Sequence, residues 1–526
     1  MLGTMQAFPL SVNLLFRQGA GPHHRSEVAT FDGHTLRRAS FGDVAARVLR
    51  LATVLRRLGI RPGDRVGSLL WNTQEHLEAY LAVPLIGAVL HTMNPRLFPD
   101  QLAYTVNHAG NRLVITDTSM APVLDKARGQ FTTVEQYLTV GDGYEEALAA
   151  AEPATDLADP ENEHAAAAIC YTSGTTGNPK GVVYSHRSIY LHSMAICTAN
   201  GMGLGQRDKV LQIPSMFHAS GWGLPHAAWM AGADILMPSR HLQGEPLSKL
   251  IASERPTVTG GVPTIWSDVS RYAEAHALDL SSLRMLYCAG SAVPRSLIER
   301  FDRIHGVRMT QAWGMTETSP LAASAESPKW CATEDESMAY RARAGRGWAG
   351  VEYRISSEGV VQPNDGAAVG EIQVRGPWVT GIYLGGEGAD KFEDGWLKTG
   401  DVGTLDSAGF ITITDRAKDV IKSGGEWVSS VEVENAIMAH PDVLEAAVIG
   451  VPDPRWDERP LACVVVKPGS GATAASLRAF LSDRVAKWCV PDRWAFIDEV
   501  PKTSVGKFDK KTLRARFAAG EITVVE

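Results

Sequence analysis

The sequence predicts a layered α/β protein: a large N-terminal unit of alternating helices and strands, then a small α+β unit at the C-terminal end. Three observations carry this. The chain has 526 residues, more than one ordinary hydrophobic core organises, so it divides into at least two domains. Helical and strand periodicities alternate through its first part. A polar break at 415–418 is followed by a stretch of about a hundred residues, a typical domain size.

The elements follow in order. Residues 42–58 place Val44, Val48, Leu51, Leu55 and Leu58 at helical spacing, and Gly59 ends the run. Residues 66–70 and 112–116 are short apolar runs that read as buried strands, and alternation of this kind implies layered α/β architecture. Residues 145–163, rich in Ala, Asp, Glu and Pro, carry no strand signal and read as a surface connection. Residues 409–414 alternate as a strand. Beyond them, Ser429 and Glu432 stand at capping-box spacing before a helix that runs to Ala439, and strands follow at 443–449 and 461–466. The domains are thus expected at 1–415 and 416–526.

Composition excludes several classes. Hydrophobic content of 44% and charged content of 21% are those of a globular protein, and a net charge of -8 argues against a nucleic-acid surface. The longest apolar run, at 80–90, is shorter than the ~20 residues that span a bilayer, so no transmembrane segment is expected. The first ten residues lack a basic segment feeding an apolar core, so no signal peptide is expected. The 6 cysteines are scattered without a C-x-x-C pair or a His at zinc spacing, which points to a reduced, cytoplasmic protein. Cys288 reads as a small core residue.

The most informative stretch is Tyr171-Thr172-Ser173-Gly174-Thr175-Thr176-Gly177-Asn178-Pro179-Lys180-Gly181. A backbone this bare wraps closely around an anion, with N–H groups open to phosphate oxygens. Apolar residues before it and Val182-Val183-Tyr184 after it make it a strand-to-strand loop. A Walker loop runs from strand into helix and needs Gly-Lys-Ser/Thr, whereas Pro179 precedes the lysine here and Gly506-Lys507 is followed by Phe508. A nucleoside triphosphate is expected, handled by something other than a Walker-type motor or GTPase.

Further stretches stand in a fixed order behind the loop: Ala289-Gly290-Ser291-Ala292-Val293-Pro294, Trp313-Gly314-Met315-Thr316-Glu317-Thr318, Thr399-Gly400-Asp401, Asp415-Arg416-Ala417-Lys418-Asp419, Lys422-Ser423-Gly424-Gly425, and Pro501-Lys502-Thr503-Ser504-Val505-Gly506-Lys507. With the loop they resemble, over essentially the whole chain, the AMP-forming adenylating enzymes: acyl-CoA synthetases, firefly luciferases and peptide-synthetase adenylation domains.

That resemblance implies roles. Thr172, Ser173, Gly174, Thr175, Thr176, Gly177 and Lys180 hold the triphosphate of ATP. Thr172 and Glu317 match magnesium-binding positions, and oxygen ligands suit that hard ion. Gly290, Ser291 and Ala292 form a small-residue bed for the purine, whose other face meets Trp313 where the family usually has Tyr. Gln311, Gly314, Met315 and Thr316 belong to the same nucleotide surface. Asp401 matches the carboxylate that binds both ribose hydroxyls, and Arg416 a ribose and phosphate contact. Lys507 is the catalytic lysine that bridges the carboxylate and the α-phosphate as charge builds. The C-terminal domain, a mobile lid, delivers Lys507 and then rotates about a hinge at Lys418, so that Gly424 and Gly425 line the path of the CoA pantetheine.

The segment Pro214-Ser215-Met216-Phe217-His218-Ala219-Ser220-Gly221-Trp222 corresponds to the border of the acid pocket, with His218 near the carboxylate. Trp222 falls where long-chain fatty-acyl-CoA synthetases keep an indole gate. Residues 75–80, 91–97 and 425–430 resemble bacterial fatty-acyl-CoA synthetases, so the expectation is a medium- or long-chain fatty acid ligated to CoA, with a homodimer implied by that branch. The alternatives are an aryl or other carboxylic acid, a nitrogen nucleophile in place of CoA, and a non-catalytic ATP or acyl sensor. The presence of Lys507, Glu317 and Asp401 speaks against the sensor.

Overall fold

The computed structural model describes residues 1–526 except 2, 173–177, 424–425, 503–507 and 526, and no side chain is described at 422, 426 and 427. Helix Phe41–Arg57 starts at Ser40, whose hydroxyl accepts from the Asp43 amide while the Asp43 carboxylate accepts from the Ser40 amide. Its buried face carries Val44, Val48, Leu51 and Leu55, as the spacing predicts. The 80–90 apolar run has a different explanation from a membrane segment. Its first half lies in helix Gln74–Leu85, every residue of which is buried, so the run is apolar because it is internal, while Glu78 earlier in the helix is paired with Arg47. Among the described residues no helix is long and apolar enough to cross a membrane.

The described strands form three sheets. One runs Gln136–Val140, Asn111–Asp117, Arg65–Leu69, Val89–Thr92, Ala166–Tyr171, Gly181–Ser185, parallel until the last pair, which is antiparallel. The second has a parallel half, Met309–Gly314, Met285–Cys288, Val258–Gly261, Lys209–Leu211, Asp234–Met237 and Glu27–Phe31. It continues from Met309–Gly314 into antiparallel strands that include Leu321–Ser324, Phe410–Arg416 and Trp396–Leu405. The third sheet is the small C-terminal one, built on the long pair Val443–Asp453 and Asp457–Val466. It packs its own core of Ile421, Val433, Val448, Val464 and Trp494. The mixed α/β fold with a large first part and a small last part is the expected one.

The stretch read as a surface connection is instead partly inside. Residues 144–149 form a helix, and the segment beyond lies against helices Val12–Ala20 and Phe41–Arg57. The Ala154 amide donates to Leu49 O at 3.1 Å, Arg50 donates to Ala151 O at 2.7 Å, and Asn13 donates to Ala158 O at 2.7 Å. The physical reason is the size of alanine: Ala151 and Ala154 let the backbone lie flush on the helices and are themselves buried. All 6 cysteines are free thiols.

Candidate active site

Three parallel strands, Val258–Gly261, Met285–Cys288 and Met309–Gly314, end on the same edge of the second sheet, where ligands of open α/β sheets sit. Gly290 follows the middle strand at φ 94°, and a Cβ there would stand 3.0 Å from Val262 Cγ1; Ser291 and Ala292 beyond it are exposed. Gly314 closes the third strand at a register shift, and a Cβ there would stand 1.8 Å from Pro320 O, so no other residue fits. Gln311 is buried in that strand, its side-chain carbonyl without a hydrogen-bond partner. Met315 and the short turn Thr316–Thr318 follow, the Met315 amide donating to Thr318 Oγ1 at 2.9 Å.

Trp313, Asp401 and Arg416 converge. The Trp313 indole N–H donates to Asp401 Oδ2 at 2.8 Å, and Arg416 Nε meets Asp401 Oδ1 at 2.6 Å. Strand register explains the second pair, since Asp401 lies opposite Arg416. Asp401 is only 3% exposed, so its charge depends on these partners.

The phosphate loop is a hairpin, as read. Tyr171 lies opposite Gly181, the Thr172 amide donates to Lys180 O at 2.9 Å, and the Lys180 amide donates to Thr172 Oγ1 at 3.0 Å. Thr172 and Lys180 thus close the base of the loop, while Ser173, Gly174, Thr175, Thr176 and Gly177 lie outside the described residues. So do Gly424, Gly425 and Lys507. Lys502 and Phe508, on either side of Lys507 in sequence, pair with each other.

Glu317 is buried, and here the structure adds a residue that sequence reading passed over. Tyr383 donates its hydroxyl to Glu317 Oε1 at 2.6 Å, and its ring lies 5.1 Å below the Lys180 ammonium. Burial and then the Glu317 charge push the Tyr383 hydroxyl well above the usual phenol range, so it remains a donor. The Thr380 amide also donates to Glu317 O, at 2.8 Å. No motif announced Tyr383, because an aromatic in a Gly-rich segment carries no spacing signal. Among the described residues no three His, Cys, Asp or Glu side chains cluster to hold a metal. A single carboxylate with a nearby hydroxyl suits Mg2+, which takes its remaining ligands from phosphate and water.

At the acid side, His218 is half-buried and begins a run of five residues with positive φ: Ala219 (36°), Ser220 (39°), Gly221 (60°), Trp222 (61°) and Gly223 (72°). Left-handed backbone is costly for the three that are not glycine, and tertiary contacts hold it. Gln212 donates to Pro214 O and Gly221 O at 2.7 and 3.1 Å, and Asn72 accepts from the Met216 amide at 2.8 Å. The Trp222 indole packs over Gly260, where an added Cβ would stand 3.0 Å from Cε3 and Cζ3.

At the far side of the second sheet lies Lys418, in the turn after strand Phe410–Arg416; the amides of Asp419 and Val420 donate to Arg416 O. That turn is tied to helix Lys510–Ala518 through Arg514 and Asp419, 2.8 Å apart.

A parallel-sheet edge opened at Gly290, a held carboxylate opposite an arginine, and a hairpin closing on lysine are the arrangement expected of an enzyme that forms adenylates from ATP. Similarity to known proteins agrees with that class. The model of the AMP-binding enzyme family matches residues 16–384, and that of the AMP-binding enzyme C-terminal domain matches 432–507. This chain belongs to the AMP-binding enzyme family. A long-chain-fatty-acid–CoA ligase of Thermus thermophilus is 42% identical, over 98% of this chain and 98% of its own. A 3-methylmercaptopropionyl-CoA ligase of Ruegeria lacuscaerulensis is 41% identical, over 98% and 99%. The crystal structure of the anthranilate CoA ligase AuaEII with anthranoyl-AMP superposes with a TM-score of 0.87 at 25% identity, over 98% of this chain and 100% of that one.

Proposed function

We propose that this chain is an AMP-forming acid–CoA ligase acting on an aliphatic acid of the medium- or long-chain fatty class. A carboxylate oxygen attacks the α-phosphorus of ATP and pyrophosphate leaves; the CoA thiolate then attacks the acyl carbonyl and AMP leaves. Mg2+ supplies charge neutralisation on the phosphates when bound. The observation that carries the reading is the convergence of Trp313, Asp401 and Arg416 beside the Gly290 bed. Trp313 gives the purine an apolar wall, and the ribose hydroxyls donate to the remaining lone pairs of Asp401. Lys180, held over Tyr383, adds positive charge at the base of the phosphate loop. Lys507, His218 as a pocket wall, the hinge at Lys418, the pantetheine path at Gly424 and Gly425, and the division at 415/416 belong to the same reading, supported by motif order. CoA as acceptor and the fatty-acid class are supported by relatives that are CoA ligases at about 40% identity across the whole chain. A cytoplasmic homodimer completes it, supported by the free thiols and by the fatty-acyl branch the sequence resembles.

The test is acid-dependent pyrophosphate release across aliphatic and aryl acids, with and without CoA. Release with fatty acids, and thioester only when CoA is present, is expected. Release confined to aryl acids, or product only with an amine, rejects the ligase reading while leaving adenylation standing.

A further inference from the structure

Behind the segment 218–223 lies a narrow enclosed cavity of about 20 Å³, room for one water-sized group. It adjoins the site already described: Ser220 and Gly223 form one wall, and Tyr184, which donates to Thr316 O next to Glu317, forms another. The polar groups of its lining divide in two. Tyr80 donates to Met216 O, Tyr184 to Thr316 O, Ser193 to Ile189 O and Ser319 to Trp378 O, so their hydroxyls are spent. Thr92 Oγ1, Ser220 Oγ, His192 Nε2 and His226 Nε2 are buried with no hydrogen-bond partner. The neighbouring Cys170 thiol is a weak donor at best. Four orphaned polar atoms around one small chamber are costly unless something pairs with them.

Among the described residues no Asp, Glu, Lys or Arg lines the chamber. Burial pulls His192 to about 3 and His226 to about 4, so both imidazoles are neutral at physiological pH. A second carboxylate or an ammonium group would enter without a counter-charge. A plain methyl terminus would enter without pairing any of the four atoms.

We propose that this chamber receives the distal end of the acid, and that His192, His226, Ser220 and Thr92 select acids ending in a hydroxyl over the plain alkanoate of equal length. This inference rests on the acid-activating reading above and deepens it. On this proposal the rest of the acid lies on the side of Ser220 and Gly223, and the chamber accepts one heteroatom-sized group.

The experiment compares kcat/KM for pyrophosphate release between hexanoate, octanoate and decanoate and the same-length acids carrying a terminal hydroxyl. At some length, wild-type enzyme is expected to favour the hydroxy acid by at least tenfold. His192→Phe keeps a ring beside Trp348 and Trp378 and removes the polar atom; with His226→Phe it is expected to shrink that preference to within about twofold. Equal or better use of plain alkanoates at every length by wild-type enzyme, or a preference untouched in a folded double variant, overturns the proposal and makes the chamber a buried water site. The wild-type comparison needs no variant to fold. Absence of acid-dependent pyrophosphate release with every acid fails the adenylating reading itself, and the selection falls with it.

Discussion

The Tyr383 hydroxyl donates to Glu317 Oε1 at 2.6 Å while the same ring lies under the Lys180 ammonium. One side chain therefore fixes the carboxylate expected at the metal and the cation expected at the phosphates. Tyr383→Phe keeps the ring and removes only the hydrogen bond, which to a charged acceptor is worth about 1.5–3 kcal/mol. The expected result is a rise of roughly tenfold in the Mg2+ concentration giving half-maximal ATP binding, read by nucleotide fluorescence, with thermal stability little changed. An unchanged Mg2+ profile separates Tyr383 from the metal.

Asp401 is buried and held from both sides, by Trp313 and by Arg416. Asp401→Asn keeps an acceptor for the indole but removes the charge opposite Arg416 and weakens the acceptor expected for the ribose. KM for ATP should rise by about tenfold or more, the cost of one charge-assisted contact, and KM for the acid should hold. Parallel rises in both would make Asp401 a structural residue alone.

Lys507 stands in sequence between Lys502 and Phe508, which pair with each other. Lys507→Ala is expected to cut acid-dependent pyrophosphate release by on the order of a hundredfold or more, since one preorganised charge is lost where negative charge develops. Thioester formation from supplied acyl-adenylate should largely survive. Equal loss in both half-reactions contradicts the assigned role.

Five histidines are buried and neutral: burial lowers His76, His91, His186 and His226 to about 4 and His192 to about 3. Their folded-state values lie below the unfolded value near 6.5, so below that pH the unfolded chain binds more protons. The stability they contribute is complete above about pH 6.5 and is lost as pH falls toward 4, up to about 2 kcal/mol for each by pH 5. Urea midpoints should be flat from pH 8 to 7 and drop steeply from 6.5 to 5, with a shallower drop in His192→Phe. A flat profile down to pH 5 would mean that these rings are solvated.

Much of this was legible in the sequence, and the reason is local. The pairing of Ala166–Tyr171 with Gly181–Ser185 follows from β-branched residues after a bare loop, and the resemblance grouped Trp313, Glu317 and Asp401, of which Trp313 and Asp401 are in contact. What was not legible depends on tertiary pairing. A histidine in an apolar helix announces burial but not whether its second nitrogen finds a partner, so His192 and His226 carried no signal. The run 219–223 contains two glycines, which mark a turn, yet left-handed Ala219, Ser220 and Trp222 are dictated by Gln212 and Asn72 from elsewhere in the fold. Composition made 145–163 read as surface, although Ala151 and Ala154 dock part of it on two helices.

Trp222 is the residue on which the acid reading turns. Its indole is buried against Gly260, on a backbone at φ 61° that a tryptophan rarely adopts. On the proposed reading this side chain borders the acid pocket, and removing it opens apolar volume that extra methylenes can fill. Each buried methylene is worth up to ~0.8 kcal/mol, roughly fourfold in kcat/KM. Trp222→Ala should therefore shift the chain-length optimum toward longer acids, with nucleotide affinity near its original value because Trp313 and Asp401 are untouched. Gly260→Ala tests the same contact from the other side: its Cβ would stand 3.0 Å from the indole, so the ring must move, and the profile should change without any loss of volume at residue 222. The measurement is kcat/KM for acids from acetate to palmitate, with cinnamate-like acids included, in all three proteins. A wild-type optimum on an aryl or very short acid, with no chain-length response in either variant, removes Trp222 from the acid path and the fatty-acid class with it.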